Sequence, residues 1–294
     1  MTDSNLVILA GGVSSRMKKV SSGSLEPALQ RDAEEKSKSL IGVGEGWRPF
    51  LDYLLYNAEA AGYRDVVIVV GERDTAMREY YGREERNNRF HALSISYASQ
   101  AIPEGRTKPL GTADALLQAL HRRPDWQGKK FTVCNSDNLY SKRALGLMLG
   151  SKAECALIDY DRDALRFESE RVRQFAIVRT DREGRLLDIV EKPSMNEFAR
   201  IGGREGRVGV SMNIFRFLYE RIYQFLEMVP LDPVRKEKEI PTAVRMMVRA
   251  FPGCMEAIPL AEHVPDLTSR DDITIVRDYL QKEYGSLGWR QRER

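Results

Sequence analysis

Residues 9–17 read Leu9-Ala10-Gly11-Gly12-Val13-Ser14-Ser15-Arg16-Met17. Two glycines let a backbone come close to a phosphate, and successive N–H groups in such a turn form a concave anion site. Arg16 adds a planar guanidinium that stays charged at physiological pH. Together these residue types offer one chemistry, the holding of phosphate. The segment is not a Walker loop, because no Gly-Lys-Ser/Thr follows, and it lacks the third glycine of the dinucleotide fingerprint. Metal-thiolate and disulfide chemistry are excluded by spacing. Cys134, Cys155 and Cys254 are far apart and odd in number, and His91, His121 and His263 are equally scattered. Cys134 reads as a small core hydrophobe, and His263 as a loop histidine despite its nearness to Asp266.

A phosphate-holding turn works only if a rigid element aims it. Leu6 to Ala10 is a short apolar run ending at the glycines, the pattern of a strand buried on both faces. Pro49 opens a helix carrying Phe50, Leu51, Leu54, Leu55 and Ala58 at helical spacing, and Gly62 stops it. Asp65 to Gly71 is a second strand, Thr75 to Tyr81 a short helix and Ser94 to Ala98 a third strand. A helix begins at Gly111-Thr112 and closes before Pro124, and Phe131 to Cys134 is a fourth strand. This alternation predicts a Rossmann-like, doubly wound, mostly parallel α/β sheet, in which ligands sit beyond the carboxyl ends of the strands. Gly11-Gly12 and Asp137 both lie at such ends.

The second half reads differently. Ala156 to Asp159, Ala176 to Arg179, Leu186 to Glu191 and Val208 to Phe217 are expected strands, with a hairpin turn at Asp181 to Gly184. Helices follow near Leu218 to Met228, at Pro241 to Ala250, and over Ile273, Val276 and Leu280 to Gly285. We expect two lobes sharing one sheet, 1–150 and 151–294. Val20 to Lys36 is polar and long, either a functional loop or a decorated surface insertion, and we treat 17–37 as a variable insertion loop.

Composition narrows the partners. With 42% apolar residues and a net charge of +3 the chain is not expected to be disordered. The small basic excess does not form a nucleic-acid stripe. The mixed-sign clusters Arg83 to Arg86 and Arg166 to Arg173 read as solvated faces. No apolar run approaches the length of a membrane span, and the first residues do not read as a secretory signal. A soluble, cytoplasmic protein is expected, with homo-oligomerisation left open.

The motifs, taken in order, resemble the nucleotidyltransferases that join a nucleoside triphosphate to a sugar 1-phosphate. Leu-Ala-Gly-Gly-x-x-x-Arg resembles that family's N-terminal signature, and Lys38 in Ser37-Lys38-Ser39-Leu40 resembles the lysine that closes it, with Lys36 the rival. Pro109-Leu110-Gly111-Thr112-Ala113-Asp114-Ala115-Leu116 resembles its Gly-Thr-Ala helix start, with Gln100 at the candidate base-reading position. Asn135-Ser136-Asp137-Asn138 resembles its strand-end aspartate, and Ile189-Val190-Glu191-Lys192-Pro193 its Val-x-Glu-Lys-Pro block.

That resemblance implies a reaction in which a sugar-phosphate oxygen attacks the α-phosphorus of a triphosphate and pyrophosphate leaves. Both reactants are anionic, so the site must neutralise charge and align them. On this reading Arg16, Lys38 and Asp137 are catalytic. Leu9, Ala10, Gly11, Gly12, Gln100, Gly111 and Thr112 hold the nucleotide. Glu191, Lys192 and Asn213 hold the sugar phosphate. Mg²⁺ favours carboxylate and phosphate oxygens, which makes it the implied cofactor, with Asp137 and Asp266 its ligands.

The sequence also departs from the pattern. Asp266 to Ile273 resembles the family's C-terminal Asp-x-Gly-Thr-Pro-Glu-Asp-Leu, but Thr268 replaces a glycine and Arg270 a proline. Other members carry the second aspartate near the segment corresponding to Glu239 to Thr242, where this chain has none. Ser14-Ser15 resembles the molybdenum-cofactor guanylyltransferases and their cytidylyltransferase relatives. Phe175-Ala176 stands where Tyr-Gly is usual, and Ser211-Met212-Asn213 where a glycine is common. Two alternatives therefore stand beside the sugar reading. One is nucleotidyl transfer to a non-sugar phosphorylated acceptor, and the other a silent homologue that binds a nucleotide sugar.

Overall fold

The computed structural model describes residues 3–12, 17, 26–191, 193, 207–285 and 287. Strands β1 (Asn5–Leu9), β2 (Asp65–Gly71), β4 (Leu93–Gln100) and β5 (Lys130–Asn135) form the parallel first half of a single sheet, with β3 (Asn88–Phe90) antiparallel at its edge. Strands β6 (Cys155–Asp161), β7 (Ala176–Thr180), β8 (Leu186–Val190), β9 (Gly209–Ser211), β10 (Phe215–Leu218) and β11 (Met255–Leu260) continue it, in the order β3-β4-β2-β1-β5-β10-β6-β9-β7-β8 with β11 beside β6. The added half is antiparallel except at the β6–β11 pair.

Helices cover both faces, as the continuous apolar runs of β1 and β2 require. On one face Leu6, Ile8, Val66 and Ile68 pack against α1 (Pro27–Glu35), α2 (Phe50–Ala61), α3 (Ala76–Tyr81), α5 (Lys142–Gly150) and α9 (Asp272–Tyr284). On the other, Val7, Val67 and Val69 pack against α4 (Thr112–Arg122), α7 (Tyr219–Met228) and α8 (Ile240–Ala250). A helical turn, α6 (Ser169–Val172), lies between β6 and β7. No helix among the described residues is long and apolar enough to cross a membrane.

Several elements differ from the sequence reading. The stretch 208–217 is two strands, β9 and β10, broken at Asn213, whose φ of +57° turns the chain. An asparagine tolerates that left-handed geometry, so it can stand where relatives carry glycine. Within the polar stretch 20–36, residues 27–35 form α1, which buries Leu29, Ala33 and the carboxylate of Asp32; that carboxylate accepts a hydrogen bond from the Gly42 N–H at 3.1 Å. Strands β3 and β11 and helices α5 and α6 have no counterpart in the sequence reading. The Asp181 hairpin is present, its carboxylate accepting from the N–H groups of Glu183 and Arg185 at 3.0 and 2.8 Å.

Candidate active site

A cleft of about 390 Å³ opens beyond the carboxyl ends of β1 and β5 and runs from the first half of the sheet to the second. It gathers Leu9, Ala10, Gly11, Gly12, Lys38, Gln100, Gly111, Thr112, Asp137, Glu191 and Asn213, residues drawn from seven separate stretches of sequence. Arg16 and Lys192 lie outside the described residues. Asp266 does not line the cleft but pairs through a β-bridge with Asn138, next to Asp137. A second hollow of about 610 Å³ adjoins it past Gly11 and Gln100, and Lys36 lies there.

One end is shaped by backbone contacts. A Cβ on Gly11 would come within 3.2 Å of Gln100 Oε1 and 3.5 Å of the Gly71 nitrogen, so the turn after β1 lies close against the end of β2. Buried Gln100 donates through Nε2 to the Gly111 carbonyl at 2.8 Å and to Asp114 Oδ2 at 2.7 Å, leaving its carbonyl oxygen beside Gly11. Gly111, at φ +110°, starts α4 where the chain meets residues 238–240. There Ala113 N donates to Lys238 O at 3.0 Å, and Ile240 N donates to Thr112 Oγ1 at 3.1 Å.

Acids and bases meet in the middle. Lys38 Nζ is ion-paired with Asp137 Oδ2, whereas Lys36 pairs with Asp32 on α1 at 2.6 Å. Ser141, not Asp137, caps α5, its Oγ accepting from Ala144 N at 3.0 Å, so helix capping does not account for Asp137. The Leu267 N–H donates to Asp137 O and the Leu139 N–H to Pro265 O, both at 2.8 Å, which pins the segment carrying Asp266 alongside β5. Burial, and then the neighbouring charge of Asp137, push the Asp266 carboxyl above the usual carboxylate range.

Thr268, at the expected glycine position, donates through Oγ1 to Asp266. Arg270, at the expected proline position, is buried and reaches back to the signature segment, donating through Nε to Met17 O at 2.8 Å and through Nη2 to Glu34 at 3.1 Å. His263 is packed between the rings of Phe167 and Tyr279 and accepts from the Arg166 N–H at 3.1 Å. Burial, aided by Arg166 and Arg171, pushes its pKa down to about 4, as expected of a packing residue.

Next to the contact of Gly111 with residues 238–240, Glu191 shares a hydrogen bond with Glu239, and Glu239 is ion-paired with Arg235. Lys108, Arg235, Glu237 and Glu239 line this cleft and were missed in the sequence. The available signal was the dense charge of Arg235-Lys236-Glu237-Lys238-Glu239 directly before a helix. Asp232 shapes that loop, its Oδ1 accepting from Val234 N and Arg235 N at 2.9 and 2.6 Å.

The neighbouring carboxylates of Asp137 and Asp266 meet the first requirement of a hard divalent cation. Their mutual repulsion is relieved by one, and Mg²⁺ takes only one or two protein carboxylates, completing its shell with water and phosphate oxygens. Among the described residues no cluster of three or more His, Cys, Asp or Glu side chains is placed to hold a metal by itself.

Comparison with known proteins bears on this arrangement. Residues 5–250 match the family described as nucleotidyl transferase. A glucose-1-phosphate adenylyltransferase of Cereibacter sphaeroides is 27% identical over 216 residues, covering 71% of this chain and 46% of that protein. The enzyme of the same name from Rhodopirellula baltica is 26% identical over 258 residues, 84% of this chain and 53% of its own. The chain thus spans about half the length of these relatives. In fold it is similar to a UTP-bound UGPase from Acinetobacter baumannii, with a TM-score of 0.69 at 18% identity over 97% of this chain and 95% of that one. With the family match running from β1 to the end of α8, the chain belongs to the nucleotidyl transferase family.

Proposed function

We propose that this chain condenses a nucleoside triphosphate with a sugar 1-phosphate, giving a nucleotide sugar and pyrophosphate. The observation that carries this reading is the meeting of Lys38 and Asp137 midway along one cleft. Gln100 and Gly111 line the same cleft, as do Glu191, Glu239 and Arg235. The names of the relatives add support, since they pair this family with glucose 1-phosphate and adenylyl transfer, and the structural neighbour holds UTP.

The residues divide the work. Gln100 offers a carbonyl oxygen to an N–H on the base edge, and the Gly11 turn lets the nucleotide approach the backbone. Arg16 and Lys38 hold the triphosphate and offset the charge that develops on leaving pyrophosphate. With Lys38 turned to phosphate, Asp137 and Asp266 would be the residues that hold Mg²⁺. The ion would supply electrostatic stabilisation of the phosphoryl oxygens and a template for in-line alignment. Lys192 holds the sugar phosphate, with Arg235 in the cleft as a second cation, while Glu191 and Asn213 serve the sugar hydroxyls. The acceptor oxygen forms its bond to the α-phosphorus as the bond to the bridging oxygen breaks, with no covalent enzyme intermediate. Labelled pyrophosphate should therefore enter triphosphate only when the matching nucleotide sugar is supplied. Exchange with triphosphate and pyrophosphate alone would require a nucleotidyl-enzyme and contradict the mechanism.

The sugar end carries a pH signature. Burial first, and then the charge of Glu239, raise Glu191 from the ordinary range to about 7. A carboxyl raised on folding binds its proton more tightly in the folded state. Its favourable contribution to stability is complete below the unfolded value near 4.5 and is lost as pH rises through about 7. Sugar hydroxyls need the ionised acceptor, so the KM for sugar phosphate should rise as pH falls below 7, with the KM for triphosphate changing less. Glu239→Gln removes the repelling charge and should move that inflection to lower pH; an inflection unmoved in this variant would detach it from Glu191.

A further inference from the structure

The mixed-charge stretch Arg166 to Arg173 is not merely a solvated face. From the turn α6, Arg171 reaches a segment some 95 positions away. Its Nη2 donates to Asp266 Oδ2 at 2.8 Å, its Nη1 is ion-paired with Asp272, and its guanidinium lies 4.7 Å from the centre of the Phe167 ring. The planar fork thus spans two carboxylates, one of them Asp266.

We propose that Arg171 is a positioning residue that holds the charge and orientation of Asp266 until a divalent cation takes over that carboxylate. The inference rests on the reading of Asp266 as a metal ligand. The charges alternate from the cleft inward: Lys38 is paired with Asp137, Asp137 neighbours Asp266, and Asp266 is paired with Arg171. Two adjacent, largely buried carboxylates would repel each other strongly with no cation between them. Lys38 compensates one from the nucleotide side, and Arg171 compensates the other from the second half of the sheet. Both oxygens of Asp266 are engaged, Oδ2 by Arg171 and Oδ1 by the Thr268 hydroxyl. An arriving cation must therefore compete with the guanidinium for Oδ2. Arg171 keeps the carboxylate in place and lowers the affinity for bare metal, so that a metal arriving with its triphosphate is favoured over a metal arriving alone.

The local fold does not depend on this fork. Asp272 Oδ2 accepts from the N–H groups of Thr268 and Ser269 at 2.9 and 2.7 Å, which shapes the turn after Asp266 without Arg171. The test is Mn²⁺ binding to the full chain without nucleotide, read by electron paramagnetic resonance of free Mn²⁺, for the parent, Arg171→Met, Arg171→Lys and Asp266→Asn, each checked by thermal melting. Arg171→Met should bind Mn²⁺ about tenfold more tightly than the parent, since a cation beside the ligand carboxylate is gone. Arg171→Lys, which keeps the charge, should stay within about twofold of the parent. A guanidinium that only supported the structure would give the opposite sign, so unchanged or weaker binding by Arg171→Met overturns the proposal. Asp266→Asn separates the two claims. If it binds Mn²⁺ as the parent does, the ligand reading fails and takes this inference with it. If it loses binding while Arg171→Met gains none, the positioning role alone fails.

Discussion

Asp137→Asn should lose turnover by about a thousandfold or more while melting within a few degrees of the parent. The amide keeps the shape of the side chain, and the bond that anchors the neighbouring segment, from Leu267 N to Asp137 O, is a backbone bond that the substitution does not touch. What it removes is one negative charge at the point where Lys38 and Asp266 converge on Asp137. Without that charge the cation loses a ligand, and Lys38 loses the partner that orients it before triphosphate arrives. Steady-state rates at saturating substrates, with a melting curve on the same preparation, separate this from unfolding. Near-normal kcat in a folded Asp137→Asn protein would refute the metal assignment.

Gly111→Ala should damage both the fold and the cleft. At φ +110° an L-residue is strained, and the added Cβ would sit 2.5 Å from Lys238 O and 2.9 Å from Lys238 N. Both are backbone atoms and cannot swing aside, so the strands of chain at 110–113 and 238–240 must part. A loss of about 3 kcal/mol is expected, or a melting point lower by roughly 6–12 °C for a chain of this size. Glu239 and Arg235 sit on the displaced segment, so KM should rise for sugar phosphate as well as for triphosphate. Gly128→Ala is the comparison. It shares a positive φ of +74° but a Cβ there meets nothing within 4 Å, so it should cost only about 1 kcal/mol. Equal melting points for the two variants would mean that the 238 contact does not hold the cleft in shape.

How much of this was legible in sequence depended on how local each signal is. Strand β2, Asp65–Gly71, declares itself by an unbroken apolar run, and α2 by its spacing between Pro49 and Gly62. The motif residues that line the cleft were legible because each sits at a strand end or helix start fixed by such a pattern. Helix α1 was not. Its inward face consists of Leu29, Ala33 and an aspartate, and its support comes from Gly42 and Arg270, remote in sequence. Strand-like alternation from Val208 to Phe217 hid the turn at Asn213, because a positive φ leaves no mark in hydropathy. Periodicity could not separate Lys36 from Lys38; only the folded chain puts one against Asp32 of α1 and the other against Asp137. Arg171 read as a surface charge because its two carboxylate partners are about a hundred positions away.

The central claim is that one cleft joins a triphosphate to a sugar 1-phosphate. The most direct measurement is pyrophosphate release with Mg²⁺ across a matrix of nucleoside triphosphates and sugar 1-phosphates, the nucleotide sugar being quantified by mass spectrometry and Asp137→Asn serving as the control. The account predicts release that needs both substrates, equals the nucleotide sugar formed, favours one pairing and vanishes in the control. Silence of the folded protein across the whole matrix, or pyrophosphate released without a sugar product, would contradict it.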